Sequence, residues 1–210
     1  MTILEEISAA LQAGRAEDVA ALVQEAIDSN IAAQEILDNG LLAGMSIIGT
    51  KFKNNEVYVP EVLIAARALN RGTDILKPRL LEEGVKPIGT AVICTVKGDL
   101  HDIGKNLVKM MLEGVGFETI DLGVDASAEK IVEAVKAHNP QVVCLSALLT
   151  TTMNQLEIVV QALEAAQLRD RVKVMIGGAP VTQAYCDQIG ADAYAPDAAS
   201  AAEIAKAFVA

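Results

Sequence analysis

Tryptophan is absent from the 210 residues, and aromatic side chains make up only 3% of them. A surface that stacks nucleic-acid bases needs more rings than this. Positive charge is also scarce: 17 Lys and Arg stand against 28 Asp and Glu, for a net charge of −11. The deficit is shared, with 8 basic and 13 acidic residues in 1–88 and 9 and 15 in 89–210. Neither half offers a basic footprint, which argues against nucleic acid, against an anionic membrane and against a DNA regulator. No apolar run approaches the ~18–20 residues of a membrane span. The N-terminus, Met1 to Glu6, lacks a basic stretch followed by an apolar one, so no signal peptide is expected. Cysteine is limited to Cys94, Cys144 and Cys186, widely spaced and with no CxxC pair. Cys94 and Cys144 lie in apolar runs, where Cys serves as a small buried hydrophobe, and a cytoplasmic location is expected.

What is present reads as an ordinary globular protein. Hydrophobic residues reach 52% and charged ones 21%, and the length allows one large domain or two small ones. Up to about residue 85 the apolar spacing is helical throughout. Ile3, Ile7, Ala10 and Leu11 form one stripe that ends at Gly14. A second helix over 15–29 buries Val19, Leu22, Val23 and Ile27. A third starts near Ile31 and continues toward Met45, Ile47 and Ile48, breaking at Lys51–Glu56. Pro60 suits the first turn of a fourth, which runs to about Glu83. Four helices with short connections imply a small bundle.

After residues 84–87 the rhythm changes. Strands are predicted at Thr90–Val96, Phe117–Leu122, Gln141–Leu148, Val172–Gly177 and Ala191–Ala195. Helices over about 104–114, 127–138, 151–167 and 181–189 alternate with them, and a last one starts at Ser200, capped with Glu203. Continuous Val, Ile, Leu and Cys runs are buried on both faces, as a parallel sheet requires. The fold class is therefore α/β: a helical domain over 1–86, then a five-stranded doubly wound sheet over 87–210, flavodoxin- or Rossmann-like.

In a sheet of order 2-1-3-4-5, ligands bind beyond the carboxyl ends of strands 1, 3 and 4, at the switch point. Strand 1 runs into Gly98-Asp99-Leu100-His101-Asp102-Ile103-Gly104. Strand 3 ends in Ser146-Ala147-Leu148-Leu149-Thr150-Thr151-Thr152, and strand 4 in Gly177-Gly178-Ala179-Pro180. One crevice would gather a His–Asp pair, several hydroxyls and a floor without side chains. His101 is one of two histidines; most lone histidines are hydrogen-bonded bystanders, and His138, at a helix end, is expected to be solvated. Imidazole is a good ligand for transition metals, and Asp99 could accept its other N–H, fixing the tautomer. One His cannot hold a metal alone. The arrangement points to a metal that brings its own equatorial ligands, as in a macrocycle.

Asp99-x-His101-x-x-Gly104, then Ser146-x-Leu148, then Gly177-Gly178, resembles the fingerprint of cobalamin-binding domains. The segments Gly44–Phe52 and Tyr58–Leu63 resemble the helical cap of methyl-transferring corrinoid proteins and of cobalamin-dependent methionine synthase. The resemblance covers nearly the whole chain, up to about residue 205. It implies a corrinoid protein of a multi-component methyltransferase system, carrying cobalamin or a related cobalt corrinoid. His101 would be the metal ligand, having displaced the corrinoid's own lower base. Asp99, Asp102, Ile103, Gly104, Ser146, Leu148, Thr150, Thr152, Gly177 and Gly178 would bind the cofactor. Gly104 would give room for the displaced tail, and Ser146 and Thr150 would bond around its base. Thr152 stands where methionine synthase has a serine, keeping the hydroxyl. Phe52 and Tyr58 are candidates to cover the upper corrin face. The implied partners are a donor-specific methyltransferase, an acceptor methyltransferase that passes the methyl to tetrahydrofolate or a thiol, and a reductive reactivation protein. The chain itself would be a carrier, not an autonomous enzyme. Two other readings share the histidine motif: a subunit of an adenosylcobalamin-dependent isomerase, which usually lacks the helical half, and a cobalamin-based sensor, which needs a DNA-binding module.

Overall fold

A computed structural model describes residues 1–210. The chain divides into two compact units, one built from Met1–Pro87 and the other essentially from Ile88–Glu113 and Phe117–Ala210.

The first unit is all helical. Its first helix, α1 (Ile3–Gln12), opens on a reciprocal cap: the Glu5 N–H donates to the Thr2 hydroxyl and the Thr2 N–H to the Glu5 carboxylate. Next comes α2 (Ala16–Asp28), and then α3 (Ala33–Glu35), which continues without a break into a π-helical stretch, Ile36–Leu42, and α4 (Ala43–Lys53). The sequence predicts one plain helix here. The π ladder brings Ile36 and Leu41, five residues apart, both to full burial. That spacing suits a wider turn than the α-helix has. The fourth rod, α5 (Val59–Glu82), carries Pro60 in its first turn as expected. Gly72 on this rod lies against Leu41 and Val19, where an added Cβ would meet their methyls at 2.7–2.8 Å. The four rods share a core of Ile7, Leu11, Val23, Met45 and Leu76.

The second unit is a parallel sheet of β1 (Gly89–Thr95), β2 (Phe117–Asp121), β3 (Val142–Ser146), β4 (Lys173–Gly177) and the short β5 (Ala193–Tyr194). The order is β2-β1-β3-β4-β5, with every pair parallel, as the apolar runs predict. Helices α6 (Ile103–Glu113), α7 (Ala128–His138), α8 (Asn154–Ala165), α9 (Gln183–Ile189) and α10 (Ala198–Val209) alternate with the strands. One face of the sheet buries Val92, Cys94, Val143, Leu145, Val174 and Ile176 against Ile131, Leu156 and Val160. The last helix differs from expectation at its start. Asp197, not Ser200, is the N-cap: its carboxylate accepts from the Ser200 N–H and hydroxyl at 2.8 Å each. The strands' carboxyl ends all point the same way, so the loops after β1, β3 and β4 meet at the switch point between β1 and β3.

Candidate functional site

The loop after β1 carries the chemistry. It turns at Gly98 (φ +80°) and delivers Asp99, Leu100, His101 and Asp102 just before α6 begins. Asp99 is fully buried, and a buried carboxylate is tolerable only if its lone pairs are satisfied. They are. Its Oδ1 accepts from His101 Nδ1 at 2.7 Å and from the His101 backbone N–H at 3.1 Å. Its Oδ2 accepts from the N–H groups of Leu148 (2.7 Å) and Leu149 (3.2 Å) and from the Thr152 hydroxyl (2.8 Å). Burial pushes this carboxyl up, but the bonds from the His101 ring, Leu148, Thr152 and the His101 N–H outweigh it and hold it well below the usual aspartate range.

An ionised carboxylate only accepts, so the proton on the imidazole sits on Nδ1 and the lone pair on Nε2. The His101 side chain is half exposed, and no protein group bonds Nε2. Its backbone is fixed too: buried Thr95 donates its hydroxyl to the His101 carbonyl at 2.7 Å. The exposed apolar side chains of Leu100, Leu148 and Leu149 belong to the loops after β1 and β3, and exposed Ile103 opens α6. Gly104 has open space where a Cβ would stand.

The other predicted residues separate into groups. Thr152 joins Asp99 directly and is nearly buried. Leu148 joins through its N–H. Asp102 is exposed; its carboxylate accepts from the Asn106 side chain at 3.3 Å and its carbonyl from the Asn106 N–H at 2.8 Å. Ser146 pairs in register with Thr95, and its carbonyl accepts from the Val96 N–H; Thr150 is exposed on the loop beyond. Gly177 lies under the Ala195 carbonyl, 3.2 Å from where a Cβ would stand. Gly178 (φ +129°) has a requirement internal to the protein, since a Cβ there would overlap the Ala147 carbonyl. His138, at the exposed end of α7, is solvated as expected. In the helical unit Tyr58 is exposed and Phe52 half-buried.

Sequence reasoning missed Thr95, Asp125 and Lys105. Asp125 (φ +53°) accepts from the Gly98 N–H at 2.7 Å and so holds the turn. Lys105 is a 3%-exposed cation, and its position seven residues before buried Leu112 on one helix face was a legible signal. A cavity of about 450 Å³, lined by Lys97, Gly98, Glu129, Gln155 and Ile158 among others, reaches Thr152 but not His101.

A cobalt macrocycle fits these donors. No cluster of three or more His, Cys, Asp or Glu side chains is placed to hold a metal ion, whereas one oriented imidazole suffices for a metal whose in-plane positions are already filled. A doubly wound domain with a carboxylate-anchored histidine at its switch point, among exposed apolar side chains, defines the class: a domain that holds a large prosthetic group beyond its strand ends. Residues 89–205 match the B12 binding domain family, and residues 3–77 match a second family also described as a B12 binding domain. The trimethylamine corrinoid protein of Methanosarcina barkeri is 45% identical over 195 residues, 91% of this chain and 88% of that one. The dimethylamine corrinoid protein of the same organism is 40% identical over 210 residues, 99% and 98% of the two chains. Among solved structures, the methanol:cobalamin methyltransferase complex of M. barkeri aligns with a TM-score of 0.88 at 31% identity, covering 99% of this chain and 79% of that one. The chain belongs to the corrinoid proteins, and the group it binds is a corrinoid.

Proposed function

We propose that this chain is the methyl shuttle of a multi-component methyltransferase system, with His101 Nε2 as the lower ligand of cobalt. When bound, the corrinoid supplies a metal centre that accepts a methyl group and gives it up again. The protein's part is to bind, orient and shelter it. Asp99 keeps the Nδ1 proton in place and so presents the Nε2 lone pair outward. Its five donors keep it ionised and immobile, with the Thr152 hydroxyl as the third member of the chain. Leu100, Ile103, Leu148 and Leu149 offer an apolar seat. The open space at Gly104 gives room for a displaced nucleotide tail, with Ser146 and Thr150 as hydrogen-bonding partners for its base. One methyltransferase would load the chain from a small methylated donor, of the kind named among its relatives. A second would unload it to tetrahydrofolate or a thiol, and a reductive protein would restore it after oxidation.

The observation that carries this reading is the buried Asp99 bonded to His101 Nδ1 at 2.7 Å, with Nε2 unbonded at the switch point. His101→Ala, reconstituted with cobalamin, is expected to retain much of the corrinoid and to lose the absorption signature of a nitrogen-ligated cobalt(III). A cobalt(III) spectrum identical to that of the unaltered protein would refute the ligand role.

A further inference from the structure

Lys105 follows Gly104 in the first turn of α6 and is almost fully buried. Its ammonium has three N–H donors, and all are used: two on the oxygens of Asp121 and one on the Asn106 side-chain carbonyl, each at 2.7 Å. Asp121 ends β2. Its Oδ1 also accepts from the Gly123 N–H at 2.9 Å, and Lys109 lies 3.8 Å from Oδ2. Burial pushes the Asp121 carboxyl up, but Lys105, the Gly123 N–H and Lys109 together hold it below the usual range.

Lys105 is buried while Asp121 stays partly open to solvent, and such a pair is a weak source of stability, because apolar side chains of similar volume often serve as well or better. What distinguishes this pair is where it stands. Gly104 precedes its lysine and Gly123 is bonded to its aspartate, and at both glycines the space a Cβ would fill is empty. From Gly123 (φ +79°) the connection continues: its carbonyl accepts from the Thr95 N–H at 3.0 Å, and the Thr95 hydroxyl holds the His101 carbonyl. Asn106, the third acceptor of Lys105, donates in turn to Asp102. The pair therefore joins the start of α6, the end of β2 and the strand that supports His101. Lys105, fully neutralised, is not available to a phosphate.

We propose that the Lys105–Asp121 pair is a positioning device that keeps the space beside Gly104 and Gly123 open and pre-formed for the nucleotide tail of the corrinoid. This rests on the reading that the tail leaves the cobalt when His101 binds. Pre-forming the space removes an ordering cost that tail binding would otherwise carry. A role specific to the tail shows only with corrinoids that have one, whereas a general disturbance of the His101 loop, reached through Gly123 and Thr95, would weaken binding of corrinoids with and without a tail alike.

The test titrates the full-length protein with cobalamin and with cobinamide, which lacks the nucleotide tail. Lys105→Met combined with Asp121→Leu removes the pair without leaving a lone buried charge; Asp121→Asn, which keeps an acceptor for Lys105 and the bulk, is run in parallel in case the double variant does not fold. Cobalamin binding is expected to weaken by about tenfold or more, with cobinamide binding within about twofold of the unaltered protein. Equal loss for both corrinoids reveals a general structural role and overturns the proposal, as does no loss for either. If the unaltered protein holds cobalamin with its own base still on cobalt, the His101 reading fails and this proposal with it. If it is histidine-ligated and the variants match it with both corrinoids, only the role of the pair fails.

Discussion

Gly104 and Gly178 are both glycines beside the same histidine loop and strand ends, yet the structure asks opposite things of them. At Gly178 the backbone sits at φ +129° and the Ala147 carbonyl occupies the place of a Cβ. Gly178→Ala is expected to cost about 1–3 kcal/mol from the conformation alone, with the overlap added to it. Gly104 has ordinary helical backbone and empty space, so Gly104→Ala should raise the stability of the protein without corrinoid by up to about 1 kcal/mol. If that space receives the nucleotide tail, the same change weakens cobalamin binding. Urea denaturation and cobalamin titration of the two variants check this together; a Gly104→Ala protein that binds cobalamin as well as the unaltered one removes Gly104 from the site. At this scale the sequence was partly legible. Asp99-x-His101 could be read because a carboxylate two residues from an imidazole has an obvious bond to make. Lys105 and Asp121 are sixteen positions apart, and only the sheet brings them together. The glycines were legible as glycines, but the reason for Gly178 lies in Ala147, which no local pattern reveals.

Among the elements, β4 and β5 were the hardest to connect from sequence, since β5 spans only Ala193–Tyr194. What anchors it is Asp192. Its backbone N–H donates to the Val174 carbonyl, and its carboxylate accepts from the Val174 N–H at 2.8 Å, from Arg169 at 2.8 Å and from Lys173 at 3.2 Å. Burial pushes the Asp192 carboxyl up, but these partners outweigh it, so its folded value lies below the usual 3.8. A depressed carboxylate stabilises the fold fully above the unfolded value, and the contribution is lost as pH falls through the folded one. Asp192→Asn is therefore expected to lower stability by about 1.5–3 kcal/mol near neutral pH. The gap should narrow from about pH 4 downward, where the unfolded carboxyl takes up its proton while the native one stays ionised, and be gone once pH passes the folded value. Urea unfolding at a series of pH values measures it, and a gap as wide at pH 3 as at pH 7 contradicts the assignment. The longer elements were easier. Apolar runs such as Val142–Leu145 read as buried parallel strands in a chain of alternating helices and strands, whereas the sheet order was taken from the doubly wound fold class, because no run carries it. The π-helical stretch escaped because the five-residue spacing of Ile36 and Leu41 is a single departure within a run that otherwise reads as an α-helical stripe.

The molecule as a whole pairs two independently cored units with a net charge of −11 spread over both halves. Neither unit has a cluster of three or more His, Cys, Asp or Glu side chains placed to hold a metal ion, and the three cysteines are buried. Burial pushes the Cys94 thiol up to about 12, far from a reactive thiolate. On the shuttle reading proposed above, the chain depends on partners for both half-reactions. Corrinoid-loaded protein mixed with trimethylamine, dimethylamine or methanol and a thiol is therefore expected to show no methyl transfer by itself. Adding a matching donor-specific methyltransferase should load the corrinoid, and adding an acceptor methyltransferase should complete the transfer. Identity of 45% and 40% to the trimethylamine and dimethylamine corrinoid proteins, against 31% to the chain from the methanol complex, orders the panel: the methylamine enzymes are tried first. His101→Ala loaded to the same corrinoid content separates docking from ligation, since partner binding measured by sedimentation should persist while the nitrogen-ligated spectrum is lost. Turnover by the loaded chain with no methyltransferase present would show a catalytic centre of its own and end the carrier reading.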